Sequence, residues 1–233
     1  MNWRPVKVAL LELAHLTWNL YNQIVTLLVL LYYTILSHLE QANRSHDQIC
    51  LQHGGQLRVP KHMAVCFTNE SSHLDLESIA RLICWCKQLS VAYITLYDDV
   101  GRLKERQGKL MGHIELQLRA LGYEKPISHV EGLTILSRAD GRERFVEEVR
   151  KLVKLGPQDV TLEQVDNLAP GEFACCHPEL LVSFGSPLCL YGFPPWQLRL
   201  TEILTISSHR KLPQKVFLDC LRRYSSTSQR EGV

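Results

Sequence analysis

The chain has 233 residues, 26 Lys and Arg against 24 Asp and Glu for a formal net charge of +2, and 45% hydrophobic residues. That size suits one α/β domain with something appended, and the apolar fraction excludes a disordered or low-complexity protein. Charge this balanced, with no Lys/Arg run, excludes nucleic acid as the main partner, because a binding face shows as a basic excess.

The first element is apolar. From Leu13 to Leu39 there is no Asp, Glu, Lys or Arg, and Ile24 to Leu36 is almost uninterrupted hydrocarbon. A helix crosses a bilayer with about 20 such residues. Counting back through Tyr21, Leu20 and Trp18 reaches that length by admitting the amides Asn19, Asn22 and Gln23. A signal peptide is disfavoured, since Ser37-His38-Leu39-Glu40 follows where a small-residue cleavage site would stand. The expectation is a membrane helix, spanning or lying in the interface, over residues 1–40, a linker over 41–60 and a globular domain over 61–233. Arg4 and Lys7 before the segment and Glu40, Arg44 and Asp47 after it leave the orientation open.

The globular part alternates strands and helices. Met63 to Phe67 is a short continuous apolar run, the pattern of a strand buried on both faces, and Asp75 to Leu89 follows with helical spacing. Val91 to Tyr97 predicts a second strand, Arg102 to Leu121 one long amphipathic helix, Leu133 to Ser137 a third strand and Gly141 to Leu155 a further helix. A short helix near Leu162 to Leu168, strands at Leu180 to Phe184 and Ile203 to Ile206, and a helix over Pro213 to Tyr224 complete the series. Such alternation implies an α/β fold, a mainly parallel sheet with helices on both faces, whose ligands bind at the carboxyl ends of the strands.

The eight cysteines include C-x-C and C-C spacings but no C-x-x-C, so they do not supply the paired ligands of a zinc site. Most lie in apolar runs and read as buried reduced thiols, which places the soluble part in the cytosol and leaves the Asn43-Arg44-Ser45 and Asn69-Glu70-Ser71 tripeptides unglycosylated. Cys175-Cys176-His177 is the one cluster that invites a ligand reading.

After the first strand, Phe67-Thr68-Asn69-Glu70-Ser71-Ser72-His73-Leu74-Asp75 has no glycine-rich phosphate loop, and Ser71 or Ser72 before Asp75 reads as a helix cap. Asp98 and Asp99 end the second strand, where two carboxylates either hold a cation or cap the next helix. No G-x-S-x-G elbow is present.

The densest stretch runs from Pro178 to Glu202. Its Pro178-Glu179-Leu180-Leu181 strand, Phe193, Trp196-Gln197 and Glu202 resemble the late signature of the cis-prenyltransferases, the family related to undecaprenyl diphosphate synthase. That signature carries diphosphate-binding arginines where this chain has Ser183 and Cys189, so the cations for a dianionic head group are missing. His62 to Phe67 resembles the family strand that ends in the catalytic, magnesium-binding aspartate, and Thr68 stands at that position.

A hydrophobic N-terminus followed by such a domain is similar to the Nogo-B receptor family, the non-catalytic subunit of the eukaryotic dehydrodolichyl diphosphate synthase complex. The chain ends Arg230-Glu231-Gly232-Val233, which matches the R-x-G motif that in this family enters the partner's active site. The resemblance implies a cis-prenyltransferase fold, an endoplasmic reticulum membrane location, a catalytic cis-prenyltransferase partner and no activity for the chain alone. It also implies that Arg230 and Gly232 bind isopentenyl diphosphate in the partner's site, and that Mg2+ is held mainly by the partner. The pairing surface is expected around Pro194, Pro195, Trp196 and Glu202, since exposed aromatic patches mark interfaces. The alternative is a membrane-tethered receptor or scaffold that kept the fold and lost every catalytic role.

Overall fold

The computed structural model describes residues 4–42, 57–67, 74–122, 130–154, 161, 164–165, 176–185, 189–190, 192–198 and 200–227. Five strands, β1 (His62–Phe67), β2 (Tyr93–Asp98), β3 (Leu133–Leu136), β4 (Leu180–Phe184) and β5 (Glu202–Ile206), form one sheet in the order β3-β2-β1-β4-β5. All four pairings are parallel, in the registers Cys66↔Tyr97, Cys66↔Ser183, Tyr97↔Leu136 and Ser183↔Thr205. Every residue of β1 and β4 is buried, which is why these strands are written without polar alternation.

One face of the sheet carries the larger core. Met63, Val65, Phe67, Ile94, Leu96, Val182, Phe184 and Leu204 point into it. Three helices cover them: α2 (Leu76–Gln88), α4 (Gln107–Ala120) and α6 (Gln214–Ser226). Each presents apolar residues at helical spacing, Leu110, Ile114 and Leu118 from α4, and Phe217, Cys220, Leu221 and Tyr224 from α6. The Trp85 and Phe217 rings stack with centroids 5.6 Å apart, joining α2 to α6.

The second face is thinner. Ala64, Cys66, Tyr97, Leu136 and Leu181 meet Phe193, with Leu190, Leu198 and Ile203 at the margin. The cover is therefore the irregular segment around the 3₁₀ turn Pro195–Leu198, and α5 (Arg142–Lys154) leans on it through Phe145, stacked on Trp196. No described residue of α5 is buried.

The helix expected over Arg102 to Leu121 is two pieces. Gly101, with φ +86, leads into α3 (Arg102–Glu105), and the chain bends at Arg106 (φ −102, ψ 14) before α4 begins. The pieces answer to different neighbours, α3 to β2 and β3, α4 to α2, so one straight rod would not serve both. The short helix expected near residues 162–168 falls largely outside the described residues.

At the amino terminus α1 (Arg4–Ala42) is a single helix, and its Val8–Leu36 part is long and apolar enough to cross a membrane. Asn19, Asn22, Gln23 and Thr26 share one face, the face that also carries Tyr33. Tyr33 is buried in the larger core and Val29 packs against it. Within the expected linker, Arg58 donates its N–H to Ser225 Oγ (2.9 Å), and its guanidinium lies 4.8 Å from the Tyr224 ring centroid.

Candidate functional site

Parallel strands bring their carboxyl ends to one edge, and there the chain sets a row across the second face: Leu136, Tyr97, Cys66, Ser183 and Thr205 in lateral register. Ser183 is fully buried and its hydroxyl has no hydrogen-bond partner. Burial, aided by the nearby charges of Asp99, Cys189 and Asp98, pushes the Cys66 thiol up to about 12, so it stays protonated and is no nucleophile at neutral pH. Burial likewise raises Tyr97. A row of thiol, phenol and hydroxyl can donate hydrogen bonds but carries no cation of its own, and the Arg138 charge acts on Tyr97 from beside it.

Asp98 and Asp99 sit beside this row. Asp98 is fully buried, and its Oδ2 accepts the Leu103 N–H at 3.1 Å, so the capping alternative describes this residue. Asp98 Oδ1 and Asp99 Oδ1 are buried without a partner. Magnesium asks for several hard oxygen donors in near-octahedral array. Among the described residues no three His, Cys, Asp or Glu side chains converge, and Thr68, expected at the family's carboxylate position, lies outside those residues. The described donors do not fit the ion.

The remaining expectations fall as follows. Pro194 is buried, Pro195 exposed and Trp196 half-buried against Phe145, while Glu202 begins the edge strand β5 with its N–H on Glu179 O (2.9 Å). Cys189 is half-buried. Thr68, Arg230 and Gly232 lie outside the described residues, as do Ser71, Ser72 and Cys175. The cap of α2 is Asp75 itself rather than a serine before it, with Ser78 N–H donating to its Oδ1 at 3.2 Å. The six described cysteines are all free thiols. Cys176 contributes its backbone carbonyl, 2.6 Å from His62 Nδ1, and His62 Nε2 pairs with Thr95 Oγ1 at 2.9 Å, so this buried histidine ties β1 to β2 and to the segment before β4.

Two features escaped the sequence reading. A groove of about 710 Å³ opens beside the row, lined by Arg138, Arg142, Glu143, Val146, Glu147, Arg150 and Gly192. The spacing Arg142, Val146, Arg150 was its only signal. The other is the closure of the last helix, where the Tyr224 hydroxyl donates to Glu179 Oε2 at 2.6 Å and Arg58 Nη1 donates to Thr227 O at 3.4 Å. No local pattern announces a contact between residues this far apart in sequence.

Similarity to known proteins agrees with this geometry. No family model matches the chain. The mouse dehydrodolichyl diphosphate synthase complex subunit Nus1 is 27% identical over 198 residues, 75% of this chain and 66% of that protein, and the human subunit is 27% identical over 75% and 67%. Fission yeast supplies another at 27% over 74% of this chain. Its curated relatives are NUS1 subunits of the dehydrodolichyl diphosphate synthase complex. The chain spans about two thirds of the length of the mouse and human subunits. Among solved structures, lavandulyl diphosphate synthase from Lavandula x intermedia superposes with a TM-score of 0.52 at 19% identity, covering 73% of this chain and 97% of that one. A probable undecaprenyl diphosphate synthase from Campylobacter jejuni gives 0.54 at 14%, covering 76% and 100%. The fold is that of the cis-prenyltransferases, as the late signature implied.

Proposed function

We propose that this chain is a non-catalytic, activating subunit of a heteromeric cis-prenyltransferase. The complex adds isopentenyl diphosphate to farnesyl diphosphate in cis configuration, making dehydrodolichyl diphosphate for dolichol synthesis and protein glycosylation at the endoplasmic reticulum. The NUS1 relatives support the complex, and Ser183 and Cys189, standing where the cis-prenyltransferase signature carries arginines, support a chain that does not bind the diphosphates in its own domain. Magnesium then belongs to the catalytic partner. The N-terminal helix anchors the assembly, with the globular domain in the cytosol.

One observation carries the lending of Arg230 and Gly232 to the partner. Helix α6 runs back along the sheet and ends at the amino edge, where Tyr224 meets Glu179, the residue before β4, and Thr227 meets Arg58, which precedes β1. The chain leaves α6 at the amino edge, the opposite end of the strands from the row, which supports Arg230 and Gly232 serving another subunit's site rather than that of their own domain. There a guanidinium, with backbone N–H groups made approachable by a glycine, suits a diphosphate.

The test is co-expression with a catalytic cis-prenyltransferase subunit, measuring isopentenyl diphosphate incorporation with the native chain and with Arg230→Ala. Activity should require this chain and fall at least tenfold with the substitution while both proteins still co-purify. Unchanged activity would overturn the shared site in favour of a receptor or scaffold.

A further inference from the structure

Helix α1 changes character at one point. Every residue from Val8 through Leu28 is exposed, among them Leu10, Leu16 and Leu27, each more than 60% accessible. Beyond Leu28 one side of the same helix meets the domain, while Leu31, Tyr32 and Ile35 on the other side stay exposed. Val29 packs against the larger core, Leu30, Thr34 and Leu36 are half-buried, and Tyr33 is only 6% exposed with its hydroxyl hydrogen-bonded to Ser207. Ser207 is the first residue after β5, on the carboxyl edge of the sheet. The exposed stretch of 21 residues is about 32 Å long at 1.5 Å per residue, close to the hydrocarbon thickness of a bilayer. Tyr33 then lies about 7–8 Å beyond the last lipid-facing residue.

We propose that the carboxyl edge of the sheet is seated on the surface of an anionic lipid bilayer, with Val8–Leu28 in the lipid and Val29–Leu36 as a docking collar. This rests on the reading of α1 as a membrane helix and goes beyond it: the domain is held in one orientation rather than hung on a tether. The charge next to the collar suits the partner. From Ile203 to Leu218 there is no Asp or Glu, while Arg210, Lys211 and Lys215 fall in that stretch and Lys211 is exposed. Basic residues within a Debye length of an anionic headgroup layer are attracted to it. The amino edge, with Ser90 and Glu131 exposed, faces away from the collar.

The experiment uses the full chain in vesicles of phosphatidylcholine and phosphatidylserine doped with a lipid carrying a photoreactive headgroup, followed by mapping of the labelled peptides. Residues 207–215 should be labelled several-fold more than residues 87–92 and 131–132 of the amino edge. Tyr33→Ala should bring the two edges to equal labelling. Tyr33→Phe, which keeps the ring in the core, should retain the difference. Lys211→Glu should reduce labelling of 207–215 on these vesicles and not on phosphatidylcholine alone. Equal labelling of both edges in the native chain, or heavier labelling of the amino edge, would overturn the seating while labelled α1 peptides keep the membrane helix. Unlabelled α1 would overturn both.

Discussion

The carboxylate of Asp75 accepts the Ser78 hydroxyl at 2.7 Å and N–H at 3.2 Å within its own helix, and the Lys211 N–H at 3.1 Å from the loop after β5. Burial pushes its pKa up, but these donors outweigh burial and leave it below the ordinary 3.8. A carboxylate lowered in the folded state contributes stability above 3.8 that disappears as the pH falls through its folded value. Asp75→Ala is expected to cost about 1–2 kcal/mol in urea unfolding at neutral pH. It should also flatten the loss of stability below pH 4, the signature that separates a lost cap from general damage. Tyr224 makes the matching contact at the amino edge: burial, then its hydrogen bond to Glu179, pushes the phenol up to about 12. Tyr224→Phe removes one hydrogen bond to a charged group and should cost about 1.5–3 kcal/mol in the same assay. The sequence marked the start of α2 but pointed to Ser71 or Ser72, because a cap motif is read from local neighbours, whereas Asp75 is chosen by a partner 136 residues away. For the same reason the Arg58–Tyr224–Glu179 closure was not visible in the sequence.

Elements with one environment were legible, and elements with two were not. Strand β4 runs from Leu180 to Phe184, as its mostly apolar run predicts, since a strand buried on both faces has no competing pattern. The helix after β2 breaks at Arg106 because Asp98 holds its first turn while α4 follows α2, a division that hydrophobic spacing does not encode. Helix α5 shows strong amphipathic spacing yet buries none of its described residues, so the pattern revealed a helix without revealing what covers the sheet beneath. Phe217 is fully buried in α6, and Phe217→Ala should cost about 3–5 kcal/mol by calorimetry or denaturant. Gly132 has φ +71, and an added Cβ would stand 2.1 Å from Ala92 O. Gly132→Ala should therefore displace the β3 edge and lower the melting temperature, whereas Gly112→Ala, with nothing within 4 Å, should raise it or leave it unchanged.

At the scale of the molecule, the two edges of the sheet divide the work. The carboxyl edge carries the row without cations and the collar of α1, and the amino edge carries the exit of the chain from α6. Removing residues 228–233 should leave the melting temperature within a degree or two, because the last buried side chain among the described residues is Tyr224, while abolishing activation of the partner. Added chelator should not shift the melting temperature of the chain alone, since the described donors do not form a metal site.

The strand order has a kinetic consequence. Strand β1 is central, flanked by β2 close behind it and by β4, which begins at Leu180. Until more than 110 further residues have joined the fold, one side of this fully buried strand stands unpaired, a template for any other exposed strand. Slow refolding, and aggregation of chains truncated before Leu180, follow from that delay.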